Sequence, residues 1–185
     1  SAHVKRQLLD DGIAVREQVT IDGVKATGSG ARQKITVTLS NDETVSGDVL
    51  LVAAGRKPNL ASLDVGKAGI ALSDTTHAFI KVDKRLRTSN KKIFAIGDVN
   101  GGPQFTHAAG YQAGLVIRNI LFFLPAKVNF TALPRVTYTN PELASVGLSE
   151  AQARDEYAAV KILRWSFEEN DRARAERDMR GMVKV

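Results

Sequence analysis

Apolar positions first recur at helical spacing. Val4, Leu8 and Leu9 share a face over residues 4–11, and Gly12 marks a stop. Residues 13–28 alternate weakly and contain Asp22-Gly23, a dipeptide that predicts a hairpin turn. Residues 34–39 alternate cleanly, with Ile35 and Val37 on one face and threonines on the other, and Asn41-Asp42 makes the next turn. The run 48–55 is different: continuously apolar and ending in glycine, it predicts a strand buried on both faces, as in a parallel α/β sheet. Residues 60–78, with Gly66, Gly69 and polar turn residues, read as a crossover, and residues 79–82 and 93–96 as short strands. Over residues 106–123, Ala109, Ala113, Val116, Ile117, Ile120 and Leu121 fall on one helical face, and Pro125 ends the helix. Residues 135–147 are strand-like around Asn140-Pro141. Ser149 and Gln152 form a capping box for a short helix, and residues 159–167 alternate again.

The 185 residues suffice for one domain or two small ones, and a compact domain of this size buries about 70% of its unfolded surface. Lys and Arg number 26 against 20 Asp and Glu, a net charge of +6 that raises the question of an acidic partner. The one basic cluster, Arg172, Arg174, Arg177 and Arg180, is interleaved with Glu168, Glu169, Asp171, Glu176 and Asp178. Mixed signs of this kind mark a solvated face, and no recognition motif accompanies them, so a nucleic-acid partner is not expected. The sequence holds no cysteine, which excludes a disulfide, a thiolate metal site or a cysteine nucleophile within these residues. No run of about 18 apolar residues is present, so neither a membrane-spanning helix nor a membrane partner is expected, and a cytoplasmic location is the default. The chain opens on Ser1-Ala2-His3 without methionine or signal peptide and closes on Gly181-Met182-Val183-Lys184-Val185, which reads as a strand cut short. Both ends read as those of a piece of a longer protein.

Chemistry concentrates in residues 93–114 (IFAIGDVNGGPQFTHAAGYQAG). An apolar strand delivers Gly97 and then Asp98 at its carboxyl end, where open α/β sheets bind ligands. Gly97 permits close backbone approach, and the Asp98 carboxylate can accept hydrogen bonds from vicinal hydroxyls. The helix beginning near Thr106 offers unpaired N–H groups and the positive end of a dipole. On pattern alone, Gly97-Asp98 is equally a strand-to-turn junction with Asp98 as a cap. None of His3, His77 and His107 has a partner fit for acid–base work, no His/Asp/Glu set has metal-ligand spacing, and no Gly-x-Gly-x-x-Gly fingerprint occurs.

This segment resembles the second flavin-binding stretch of the pyridine nucleotide–disulfide oxidoreductases, an apolar strand, Ala-x-Gly-Asp, a short loop and a helix. Two further segments resemble the same family in the same order. Residues 50–59 (LLVAAGRKPN) are similar to its Ala-Thr-Gly-Arg-x-Pro-Asn stretch, with Ala54 in place of threonine. Residues 134–153 (PRVTYTNPELASVGLSEAQA) are similar to the opening of its dimerisation domain. The wording GPQFTHAA favours the dihydrolipoamide dehydrogenase and mercuric reductase branch of this class I family.

The resemblance implies an α/β fold: part of a flavoprotein with two dinucleotide-binding domains, then part of an α+β dimerisation domain. Residues 1–57 would close the NAD(P)-binding domain, 58–130 would be the second part of the FAD-binding domain, and 131–185 would open the dimerisation domain. The implied cofactors are FAD and either NAD or NADP. The implied partners are a small-molecule or protein disulfide, or a metal ion, as substrate, and a second copy as homodimer. The resemblance puts Asp98 on the ribityl or pyrophosphate part of FAD and Phe105, Thr106, His107 and Ala108 near the flavin ring. Gly55 and Arg56, with Gly97, complete the implied cofactor set; Arg56 read by itself is equally a surface arginine at a strand end. No catalytic residue is implied within the chain, because the family's redox cysteine pair, its dinucleotide fingerprints and its His-Pro segment have no counterpart here. The chain is therefore expected to be inactive alone. A non-catalytic module derived from this fold and a family flavin oxidase without a redox disulfide are the other two readings.

Overall fold

A computed structural model describes residues 2–30 and 33–185. They divide into two compact units, one of Ser1–Ala54, Val136–Ser145 and Glu150–Val185, the other of Gly55–Arg135 and Val146–Ser149.

The first unit opens with helix α1, Ala2–Asp10. It ends in a Schellman pattern, the Gly12 N–H donating to the Leu9 carbonyl and the Ile13 N–H to that of Leu8. Strands β1 (Ile21–Thr27), β2 (Lys34–Leu39) and β3 (Thr44–Gly47) form an antiparallel sheet in that order. The alternation of β2 aligns Val37 with Val24 on one side and Val45 on the other. Asn41-Asp42 makes the expected turn: Asp42 takes φ +63°, which its short polar side chain tolerates, and the Leu39 N–H closes onto the Glu43 carbonyl at 2.9 Å. Asp22-Gly23 is not a hairpin turn. The pairing register slips between Ile21 and Gly23, so the dipeptide forms a bulge inside β1, and residues 13–20 supply no strand for it to turn from.

Later in the chain come β4 (Arg135–Thr137) and β5 (Leu143–Ser145), a pair joined through a cis Asn140-Pro141 bond. Helix α3 (Glu150–Glu156) starts directly after Ser149. Strands β6 (Arg164–Ser166) and β7 (Met182–Lys184) pair antiparallel, with Trp165 opposite Val183. Between them α4 (Asp171–Glu176) is capped by the Asn170 side chain, which accepts the Ala173 N–H at 3.0 Å. Glu150 receives Arg154 from its own helix, Arg164 from β6 and Lys184 from β7, tying α3 to the two-stranded sheet.

The second unit is built on α2, Thr106–Leu121. Ala108 and Leu115 are buried, with Ile80, Leu86 and Ala95 completing the apolar core. The helical reading of 106–123 holds, but the inward face is not the expected one. Ala108, Gln112 and Leu115 are buried, whereas Ile117, Ile120 and Leu121 are exposed. The helix ends before Phe122. Small residues pack here because the 93–102 loop lies close against the helix: a Cβ on Gly97 would meet that of Ala109 at 3.3 Å.

Three expected strands are not strands. Residues 49–54 make no ladder, and Val49, Leu51 and Val52 are 87%, 86% and 74% exposed. A strand buried on both faces needs neighbours on both edges, and the described residues provide none. Segments 79–82 and 93–96 contribute only isolated bridges, Leu72 with Ile80 and Arg87 with Phe94. Their amides serve loops instead, Ile80 N–H donating to Val99 and Ala95 N–H to Leu86. The segment 60–78 is a succession of turns. No helix among the described residues is long and apolar enough to cross a membrane.

Candidate functional site

The Gly97–Asn100 segment folds as a short 3-10 turn with Asp98 as its second residue. Two glycines set its path. Gly97 takes φ +73°, and Gly101 takes φ +72°, where a Cβ would sit 2.9 Å from the Phe79 ring. The turn is buried on the helix side, Gly97 donating its N–H to Gln112 Oε1 at 2.7 Å, and open on the other, where the Asp98 side chain is 47% exposed.

Arg56 reaches this carboxylate from 42 residues away in sequence. Its Nη1 donates to Asp98 Oδ2 at 3.0 Å and its Nη2 to the Gln104 carbonyl at 2.6 Å. Both partners are about half exposed, so the pair is a steering contact more than a source of stability. Asp98 Oδ1 carries no hydrogen bond among the described residues. Gly55, beside Arg56, takes φ +108°, a backbone conformation that favours glycine, with open space where a Cβ would stand.

The loop then runs into α2. Phe105 is the N-cap, with extended backbone and no side-chain cap hydrogen bond. Thr106 and His107 are exposed there, while Ala108 is fully buried. The His107 ring stacks on Phe105, centroids 5.3 Å apart, and its Nε2 donates to the Pro134 carbonyl at 2.9 Å, which fixes the proton on that nitrogen. The ring is thus held by one stacking contact and one hydrogen bond. His107 also borders a cavity of about 390 Å³ with Tyr111, Asn129 and Thr131 to Pro134. Among the described residues no cluster of three or more His, Asp or Glu could hold a metal ion.

The structure thus ties Arg56 to Asp98, next to Gly97, and to the Gln104 carbonyl just ahead of α2. It also shows a residue that the sequence pattern does not reach: Gln112, buried in the middle of α2. The available signal was a lone amide at i+4 from Ala108 and i−3 from Leu115.

The family model for pyridine nucleotide-disulphide oxidoreductases matches residues 1–113, more than half of the chain. The chain belongs to this family. A second model, the family's dimerisation domain, matches residues 133–185. The family works with FAD and a pyridine nucleotide. Mercuric reductase of Lysinibacillus sphaericus is 36% identical over 185 residues, covering 100% of this chain and 33% of that protein. Dihydrolipoyl dehydrogenase of Geobacillus stearothermophilus is 36% identical over 188 residues, covering 100% of this chain and 38% of that protein. Among solved structures, the HOCl-induced flavoprotein disulfide reductase RclA of Escherichia coli superposes with a TM-score of 0.86 at 29% identity, over 99% of this chain and 41% of that one. The chain therefore spans about a third to two fifths of the length of these relatives.

Proposed function

We propose that these residues are part of an FAD-dependent reductase that takes hydride from NADH or NADPH and delivers the electron pair to a disulfide or to mercuric ion. The observation that carries this reading is the tie of Arg56 to Asp98 and to the Gln104 carbonyl just ahead of α2, in a chain of this family. The donor set fits one part of a flavin dinucleotide. A carboxylate with a free oxygen suits vicinal hydroxyls, a half-exposed guanidinium suits a pyrophosphate, and the N–H groups at the exposed Thr106 and His107 suit an electron-rich ring edge. When bound, FAD would supply the hydride acceptor. The chain's own residues would orient it: Gly55 and Arg56 together with Gly97, Asp98 and the start of α2.

In this reading residues 1–57 close the pyridine nucleotide domain, 58–130 belong to the FAD domain and 131–185 open a dimerisation domain that joins two copies. The 185 residues contain no cysteine, so the thiols that would meet a disulfide or mercuric ion lie elsewhere in the polypeptide, and these residues do not turn over alone. The test is to sequence the reading frame around these codons and purify its complete product. The expected result is a Cys-x-x-x-x-Cys pair after a glycine-rich fingerprint, and about one FAD released per chain on denaturation. A complete product without bound flavin overturns the proposal.

A further inference from the structure

Gln112 is 1% exposed and, with Thr88, is one of the two largest fully buried side chains among the described residues. Burying an amide is costly unless its polar atoms are matched. Its Oε1 accepts two hydrogen bonds, from the Gly97 N–H at 2.7 Å and from Asn100 Nδ2 at 2.9 Å. These donors bracket Asp98, one immediately before it and one two residues after. Asn100 extends the network, sharing its Nδ2 with the Ala95 carbonyl at 3.1 Å and accepting the Gly102 N–H at 3.0 Å. No sheet ladder fixes this turn, because segment 93–96 contributes only the single bridge at Phe94. Gln112 Oε1 from the facing helix holds its start, beside the Ile80 N–H that donates to the Val99 carbonyl at 2.9 Å.

We propose that Gln112 is the positioning residue for Asp98: its Oε1 locks the Gly97–Asn100 turn to α2, so that the carboxylate and the start of that helix are presented to the flavin as one rigid body. The proposal rests on the reading of Asp98 as an FAD-binding residue. Its chemical requirement is narrow. Position 112 needs an acceptor oxygen at the end of a two-methylene stem, which Glu supplies and Leu does not.

The test measures FAD affinity, by flavin fluorescence, in the complete protein after its flavin has been removed. Gln112→Leu is expected to weaken FAD binding by about tenfold or more, and Gln112→Glu to stay within about threefold of the parent. A double-mutant cycle separates positioning from general damage. In an Asp98→Ala background Gln112→Leu is expected to cost less than about twofold further, because the group it positions is already gone. Hydrogen exchange at the Gly97 amide, read without flavin, is expected to quicken in Gln112→Leu and not in Gln112→Glu.

Full additivity of the two substitutions, or unchanged FAD affinity in Gln112→Leu, would overturn the positioning role while leaving Asp98 as a ligand. Unchanged affinity in Asp98→Ala would remove the cofactor reading itself, and this proposal with it. If Gln112→Leu does not fold, Asn100→Ala takes its place. It removes the second donor to the same oxygen, and its expected loss of about threefold or more must again shrink in the Asp98→Ala background.

Discussion

Two apolar runs in this chain end in glycine, and they meet opposite fates. Residues 93–97 lead into the core of the second unit, where Ala95 and Gly97 are buried and Asp98 emerges at a fixed place. Residues 49–55 carry as strong an apolar signal, yet Val49, Leu51 and Val52 are among the most exposed side chains. The difference is partnership. The first run has a helix of small residues against it and a buried amide to take its backbone N–H. The second has no neighbour among the described residues. Hydrophobicity states a demand for burial, and only neighbouring chain can meet it.

The sharpest way to break this comparison is at Leu115, which is buried on α2 in the core of the second unit. Leu115→Ala is expected to cost about 2–5 kcal/mol in urea denaturation of the unit that holds it, through lost burial and a cavity. A cost under about 1 kcal/mol would show that α2 is not what holds the 93–102 segment. Gly101→Ala is expected to cost about 1–3 kcal/mol, since the new Cβ meets Phe79 at a backbone angle that disfavours side chains. Retention of full stability there would mean that the turn below Asp98 has slack.

Smaller effects sharpen the picture outside this core. The Glu150 carboxyl is held below the ordinary glutamate range, first by the hydrogen bond from Arg154, against an opposing push from burial, with Lys184 and Arg164 adding to the lowering. A lowered value in the folded state means that stability is fully present at neutral pH and is lost as pH falls through the acid range. Stability curves of the parent and of Glu150→Gln are therefore expected to differ at neutral pH and to converge as pH falls below the ordinary glutamate range. Parallel curves would deny the clamp between α3, β6 and β7. The smallest effect belongs to the exposed run: Leu51→Ser is expected to change stability by less than about 0.5 kcal/mol in these 185 residues. A larger loss would mean that Leu51 has a partner after all.

Much of the fold is legible in the sequence where the signal is local. The periodicity of α1, the alternation and Asn41-Asp42 turn of β2 and β3, the span of α2 and the start of α3 after Ser149 all depend on residues within a few positions of one another. The motif run of residues 93–114 was legible for the same reason, and it places Asp98 at the head of a turn and Thr106 at the head of a helix. What failed depended on distant chain. Asp22-Gly23 became a bulge because β2 pairs past it, and the 79–82 and 93–96 segments gave their hydrogen bonds to loops. Summed hydrophobicity along α2 points to Ile117, Ile120 and Leu121 as the inward face, and these are exposed. The buried residues are instead Ala108, Gln112 and Leu115, with Gln112 bonded to the Gly97–Asn100 turn. The Arg56 contact with Asp98 spans 42 residues and has no local signature.

The central claim is that Asp98 is the group through which this segment holds FAD. FAD titrated into the complete, flavin-free protein tests it most directly, comparing the parent with Asp98→Ala. Loss of a charged hydrogen-bond acceptor is expected to weaken binding by about tenfold to a hundredfold. Binding within about twofold of the parent would contradict the account.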